Sequence, residues 1–494
     1  MSRFPCVFLF LALGACASLP NPADSSAHAL NVADYGAAGD GKTLCTAAIQ
    51  AAIDACAARG GGRVEVPRGM FLSGPISLAS NVDFHLDSGS LLIFSRDYDL
   101  YPLVYASFLG KDTVQCTSPI TARNLHDVCI TGSGTIDGAG DAWRPVKRAK
   151  VSGDFWNKLV KSGGVTSAQQ DRWWPTAAAR DGEAALQKLR DSDEPPKMQD
   201  YRGLRDLLRP DMVAFIDCRN VLIDGPTFRN SPFWAVQILR CNEVLVRNST
   251  IFNQLWAQNG DGIGFDSSRD ILMENCTVYA GDDNIVLKSG KGPVARRRHL
   301  PTENVLIRHC TSMWGHGGFV LGSETSGDIR NVRITDCVCD GTDIGLRFKS
   351  LRGRGGVVEN VSVDHIRMRN IKTQAILFDM YYEITNSPEK SYVAAASPPE
   401  PLSERTPRFR RFVLSDIVCE SADQSILVRG LPELPISQIC FENMRLNASH
   451  GASIDEASDI VLKNVQIVSH ASPAFSTDNV SDVKLIGCST TVAQ

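Results

Sequence analysis

The sequence predicts an all-β chain, a single-domain right-handed parallel β-helix of about ten coils closed at its N-terminal end by a capping helix. Three observations carry that expectation. Short β-branched runs separated by Asn, Asp and Gly return every 22 to 34 residues. Four of these returns align on Ser267, Ser289, Ser323 and Ser350, at spacings of 22, 34 and 27. Helical periodicity is confined to one strong stretch near the N-terminus.

Taken in order, the first residues place one basic side chain ahead of a short apolar run, the pattern of an export signal ending near residue 17. Two processing sites overlap there. Leu13-Gly-Ala-Cys16 has the form of a lipoprotein box with Cys16 lipidated, and Ala15-Cys-Ala17 fits an ordinary signal peptidase. The expected destinations are the periplasm, the outer membrane as a lipoprotein, or the medium. No later segment is long and apolar enough for a membrane helix. Thr46 to Ala58 is alanine-rich and amphipathic, with Thr46 placed to cap it and Gly60-Gly-Gly to end it. The solenoid is expected to run from residue 28 to 494. Residues 141 to 210 interrupt it with a polar stretch that holds Trp143, Trp156, Trp173 and Trp174, four of the seven tryptophans. Long insertions in solenoids build walls of binding sites. A second interruption, Lys291-Gly-Pro-Val-Ala-Arg-Arg-Arg-His, reads as a solvated loop, with a wall of the cleft as the alternative.

The serine register sorts the columns. Ile263, Ile285, Phe319 and Leu346 fall together, as do Phe265, Leu287, Leu321 and Phe348. These apolar columns, two residues apart, point inward. Cys276, Cys310 and Cys337 each precede an aligned serine by 13 residues, which predicts an internal stack of thiols. The formal net charge of −4 gives no general attraction for nucleic acid or for an acidic polymer. A polyanion must be met by local cations.

The same register stacks polar residues on the outer face. Asp261 falls in the column of Asp283, and Asp282 in that of His316. Parallel neighbours lie about 4.8 Å apart. Carboxylates that close repel when both are ionised, which raises at least one pKa and suits acid and base work. Because Leu346 and Phe348 point inward, Arg347 and Lys349 point outward beside the acids. Gly264, Gly318 and Gly322 are expected to leave the trough open. Asp266 and Lys288, stacked below Lys349, read as a supporting ion pair. Single aspartates in solenoid turns are commonly structural. Three in adjacent columns with His, Arg and Lys on one face fit a carboxylated sugar held by cations, with acids flanking the bond to be cut.

Four motifs, Asn259-Gly-Asp-Gly, Gly281-Asp-Asp, Gly315-His-Gly and Arg347-Phe-Lys, stand in that order. With Asp34-Tyr-Gly-Ala-Ala-Gly-Asp-Gly and Ser80-Asn-Val, they make the sequence resemble glycoside hydrolase family 28, the polygalacturonase family, from about residue 30 onward. The resemblance implies inverting hydrolysis of α-1,4-galacturonosyl linkages in pectin without a cofactor or metal. It assigns Asp282 as general acid, Asp261 and Asp283 as the pair that activates water, and His316 as the residue that tunes the acid. It also assigns Asn259, Arg347, Lys349 and Tyr381 to substrate binding. The insertion and Gly322-Ser-Glu324 look like the exo-acting bacterial branch, in which extra loops close one end of the cleft. Rhamnogalacturonan or xylogalacturonan hydrolysis is the alternative within the family. A calcium-dependent pectate lyase and a non-catalytic polysaccharide-binding β-helix are the alternatives outside it. The expected partner is thus a pectic polysaccharide or oligogalacturonide, with no nucleic acid and with a lipid anchor through Cys16 as one option. The sequence assigns no oligomeric state.

Overall fold

The computed structural model describes residues 29–108, 111–192, 194–382 and 398–492, so the signal segment and Cys16 lie outside the described residues. Thirty-three strands join in parallel ladders that wind into one β-helix. A typical coil is built from Val236–Leu239, Asn242–Arg247 and Thr250–Phe252, and each of its strands pairs with the equivalent strand of the next coil. Toward the C-terminus the second and third strands merge, as in Ile329–Asp340 and Val357–Arg369.

The inward columns follow the alternation. Ile263 pairs with Ile285, then Phe319, then Leu346, while Phe265 pairs with Leu287, Leu321 and Phe348. The second column continues to Phe378, whose ring centroid lies 4.5 Å from that of Phe348. Each such side chain removes from water apolar area that contributes about 1.5–3 kcal/mol. Asparagines hold the corners. Asn304, Asn331 and Asn360 all adopt positive φ, which Asn tolerates, and their side-chain amides bond from coil to coil at 3.1–3.2 Å.

The thiol column forms: Cys276, Cys310 and Cys337 are buried, and the Cys310 backbone N–H donates to Cys337 Sγ at 3.4 Å. All thirteen described cysteines are free. Helix α1 (Thr46–Ala58) covers the first coil through Ile49, Ala52, Ile53 and Cys56. Thr46 does not cap it. Cys45 holds the capping position, and the Thr46 hydroxyl instead accepts a hydrogen bond from Gly74 N–H at 2.6 Å, tying the helix to the solenoid.

Residues 141 to 210 form a small subdomain with helices α2 (Gly153–Lys161) and α3 (Glu183–Asp191) and a three-stranded antiparallel sheet. Its aromatics anchor it. Trp143 is fully buried, edge-on to Tyr98 and Tyr101 at 4.6 and 5.1 Å, and Trp156 and Trp173 pack with Val146. An antiparallel hairpin, Leu103–Phe108 with Lys111–Cys116, rises beside it. The expected loop at Lys291 is instead a short helix, α4 (Gly292–Arg298), with Pro293 in its first turn. Arg296 bonds the Gly353 carbonyl and Ala295 is buried, while Arg297 to Leu300 stay exposed, with Arg298 pairing with Asp112 of the hairpin.

Candidate active site

The outer face of four successive strands carries the polar columns: β1 (Ile263–Asp266), β2 (Asp283–Lys288), β3 (Gly317–Leu321) and β4 (Ile344–Lys349). Asp261 and Asp282 stand just ahead of β1 and β2, where the chain turns onto this face. The backbone ladder sets their register: Gly262 N–H donates to the Asp283 carbonyl at 2.9 Å, and His316 N–H to the Asp282 carbonyl at 2.7 Å. Two glycines make the turns possible. At Gly281 a Cβ would lie 2.2 Å from the Ala257 carbonyl, and at Gly315, with φ +83°, it would lie 2.4 Å from the Asp282 carbonyl.

The three aspartates meet three different environments. Asp261 is 5% exposed, and its nearest cation is Lys288 at 3.5 Å. Burial pushes its carboxyl well above the usual range; Lys288 opposes this, and the Asp282 and Asp283 charges reinforce it. Asp283 is 3% exposed and accepts from both cations, Arg347 at 3.0 Å on one oxygen and Lys349 at 2.6 Å on the other. Burial opposes its charge, but Lys349 and Arg347 outweigh that and hold it below the ordinary value. Asp282 accepts from His316 Nδ1 at 3.0 Å. Burial would raise this carboxyl too, yet the bond from His316, the charge that ring carries when protonated, and the charges of Lys349 and Arg347 hold it well below the usual range.

Lys288 does not pair with Asp266. Its ammonium lies between Asp261 and Glu324, at 3.5 and 3.8 Å, and over the Trp234 ring at 4.0 Å. Burial disfavours this ammonium, but Glu324 and Asp261 raise its pKa. Asp266 bonds to the Ser267 hydroxyl instead. Asn259, at φ +53°, accepts from Arg209 at 2.9 Å. Burial, reinforced by Arg144 and Arg190, lowers the Arg209 pKa to about 9.

Tyr381 is not brought to this face. It is buried in the core cluster, with its ring 5.9 Å from the Arg352 guanidinium. Tyr382 takes the place beside the cations, its ring 4.4 Å from Lys349 Nζ and 5.3 Å from the Arg347 guanidinium. The strand Gln374–Asp379 ends before either tyrosine, and Tyr381 N–H folds back onto Asp379 Oδ1. Strand alternation therefore does not carry through to these positions.

Of the three glycines expected to open the trough, Gly264 does so beside Gln237. Gly318 faces inward, where a Cβ would meet Cys339 Sγ at 2.5 Å, and Gly322 passes close under the Lys349 carbonyl. Gly317 is the other trough glycine, with its Cβ direction toward Asp283 and Arg347. Sequence reasoning also missed Trp234, Arg209 and Lys150. Lys150 enters from the inserted subdomain and lies 3.3 Å from His316 Nε2. Among the described residues no group of His, Cys, Asp or Glu has the geometry of a metal site.

Comparison with known proteins agrees with this geometry. The profile of glycosyl hydrolases family 28 matches residues 203–395, which contain all four motifs. An exo-poly-alpha-D-galacturonosidase from Dickeya chrysanthemi is 30% identical over 450 residues, covering 88% of this chain and 70% of that protein. The chain belongs to glycosyl hydrolases family 28. This family 28 chain is therefore a glycoside hydrolase. A probable polygalacturonase from Vitis vinifera is 27% identical, covering 85% of this chain and 74% of the relative. A hyperthermoactive exopolygalacturonase from Thermotoga maritima superposes with a TM-score of 0.70 at 27% identity, covering 93% and 92% of the two chains. Residues 29–94 match a second profile, rhamnogalacturonase A/epimerase, pectate lyase-like, over the first coils.

Proposed function

We propose that this family 28 hydrolase cleaves α-1,4-galacturonosyl linkages of pectic polygalacturonate by inversion and releases units from a chain end. The observation that carries the reading is the division of labour among the three aspartates, with Asp282 tied to a histidine, Asp283 to two cations and Asp261 to Lys288. In this reading Asp282 protonates the glycosidic oxygen as the C1–O bond breaks, and water attacks C1 from the opposite face, passing its proton to the Asp261 and Asp283 pair. Arg347 and Lys349 bind the sugar carboxylate with Tyr382 beside them, while Asn259 and Arg209 shape the floor.

The charge balance gives substrate a part in its own activation. Arg347 and Lys349 contribute to depressing Asp282. A galacturonate carboxylate that binds them offsets this positive charge and raises the proton affinity of Asp282, favouring the acid form. Exo action is supported by the inserted subdomain, which reaches the site through Lys150, and by the exo-acting relatives.

The test is incubation with polygalacturonate in the presence of EDTA, following reducing ends, viscosity, product size and the anomeric configuration of the first product, with Asp282→Asn as control. Monomer or dimer accumulating with little loss of viscosity, inverted at C1 and abolished in the variant, is the expected outcome. A rapid fall in viscosity with mixed oligomers replaces exo with endo action. An unsaturated product, or full activity in the variant, overturns the mechanism.

We also propose export directed by residues 1–17, with lipid attachment at Cys16 as the testable form. Labelled palmitate should enter the wild-type protein and not Cys16→Ala, and an unlabelled soluble wild-type product would indicate ordinary signal cleavage.

A further inference from the structure

His316 is held from two sides. Nδ1 lies 3.0 Å from Asp282 Oδ1, and Nε2 lies 3.3 Å from the ammonium of Lys150, which itself is 3.5 Å from the Gly281 carbonyl. An ammonium carries donors and no acceptor. Only a ring whose Nε2 bears a lone pair can receive it, and such a ring carries its hydrogen on Nδ1, where it donates to Asp282. The other tautomer sets a lone pair against a carboxylate oxygen and an N–H against an ammonium. A doubly protonated ring also sets an N–H against the ammonium.

We infer that Lys150, from the inserted subdomain, is a positioning residue for hydrolysis that fixes His316 in the Nδ1–H tautomer donating to Asp282. The inference rests on the reading of Asp282 as the general acid. Its consequence is specific: the partner of the acid is a neutral donor, which orients the carboxyl without adding a full positive charge that would oppose its protonation. It also makes the inserted subdomain, as well as the solenoid, part of the machinery.

Of the charged groups around the ring, the two carboxylates favour a protonated imidazole and the Lys150 ammonium against Nε2 opposes it. Asp282 and Asp343 face it, the latter 3.9 Å from Nε2 and held by Lys372 at 3.0 Å, while Lys147 contributes positive charge near Lys150. Burial lowers the Lys150 pKa below the ordinary lysine value, with Asp282 opposing. Among the described residues, Lys150 makes its hydrogen-bond contacts with His316 and the Gly281 carbonyl and forms no salt bridge with an acidic side chain.

The experiment uses the full mature chain with 15N-labelled histidine, the His316 signals being assigned by difference from His316→Gln. In the unsubstituted protein Nε2 should resonate as an unprotonated ring nitrogen and Nδ1 as a protonated one. In Lys150→Met that pattern should be lost, with kcat lowered by roughly 10- to 100-fold and KM within about twofold, as expected for loss of a group that orients another. Lys147→Met, which removes a neighbouring charge that does not touch the ring, should leave pattern and kcat unchanged. An unaltered pattern in Lys150→Met, or the same loss in Lys147→Met, overturns the inference. The ring-nitrogen pattern is read without turnover, so failure of Asp282 as the acid would appear separately, as retained activity in Asp282→Asn.

Discussion

Lys349 donates to Asp283 at 2.6 Å, two coils further along the solenoid, with both side chains almost completely buried. The contact bridges three successive coils of the outer face, so it ties the scaffold to one of the two cations proposed to bind the substrate. Removing one member of a buried pair commonly costs about 3–5 kcal/mol because the other charge is left unmatched.

Lys349→Met should therefore cost about 3 kcal/mol, the low end of that range because Arg347 still holds the other oxygen. Urea denaturation measures this, and KM for short oligogalacturonides should rise in parallel. The pH dependence has a definite sign. Asp283 is depressed in the folded state, so its contribution is complete above the ordinary carboxylate value and is lost as pH falls through its lower folded value. The variant should show a flatter acid limb of stability, and an unchanged limb would contradict the pairing.

Asp211 titrates the opposite way. One of its carboxylate oxygens is buried without a partner, and burial raises its pKa to about 7. A raised carboxyl binds its proton more tightly when folded, so the penalty for ionising it grows as pH climbs from the ordinary carboxylate value toward 7. Asp211→Asn should raise the thermal midpoint at pH 8 and leave it nearly unchanged at pH 4. Equal shifts at both pH values would remove burial of the charge as the cause.

Adjacent tyrosines should separate binding from stability. Tyr382→Ala is expected to raise KM with a small effect on unfolding, since its ring borders Lys349 and Arg347. Tyr381→Ala should instead cost about 3–5 kcal/mol, the usual loss for a buried aromatic. Michaelis parameters and denaturation curves of both variants decide the matter, and reversed effects would restore Tyr381 to the site.

Gly317→Ala tests how tightly the trough is packed. The added methyl would meet Val320 at 2.5 Å, Asp283 at 3.1 Å and Arg347 at 3.2 Å. Displacing reacting groups by about 1 Å can cost about 100-fold in rate. A fall in kcat of that order with a folded protein is expected, measured beside the circular dichroism spectrum.

Much of this architecture was legible because it depends on two simple periods. Alternation by two decides inside from outside, and parallel stacking places residues 22 or 34 positions apart side by side, so Asp261, Asp282, Asp283, His316, Arg347 and Lys349 could be gathered from spacing. Some of the misreadings fall where those periods stop. Tyr381 and Tyr382 follow the end of a strand, where the chain folds back on Asp379. Gly318 lies within its strand, yet its Cβ direction meets Cys339 in the interior and Gly317 faces the trough in its place. Lys150 belongs to a subdomain outside the repeat, and nothing in its neighbourhood on the chain reveals that it touches His316. Lys288 was given the wrong partner because a column gives neighbours along the axis but not the lean of a long flexible side chain.

The asparagine ladder at the corners separates loop length from strand register. Between successive aligned coils the chain spends 22 residues in one case and 34 in the next, yet Ile263, Ile285 and Phe319 remain paired in line. Loop closure grows only logarithmically with length, so lengthening a loop by half again adds a few tenths of a kcal/mol. Such a scaffold can exchange or extend the walls around a fixed reactive floor without re-aiming it. Evolution, or a designer grafting loops, can thus change which polymer end or branch is admitted while the chemistry beneath stays as it was.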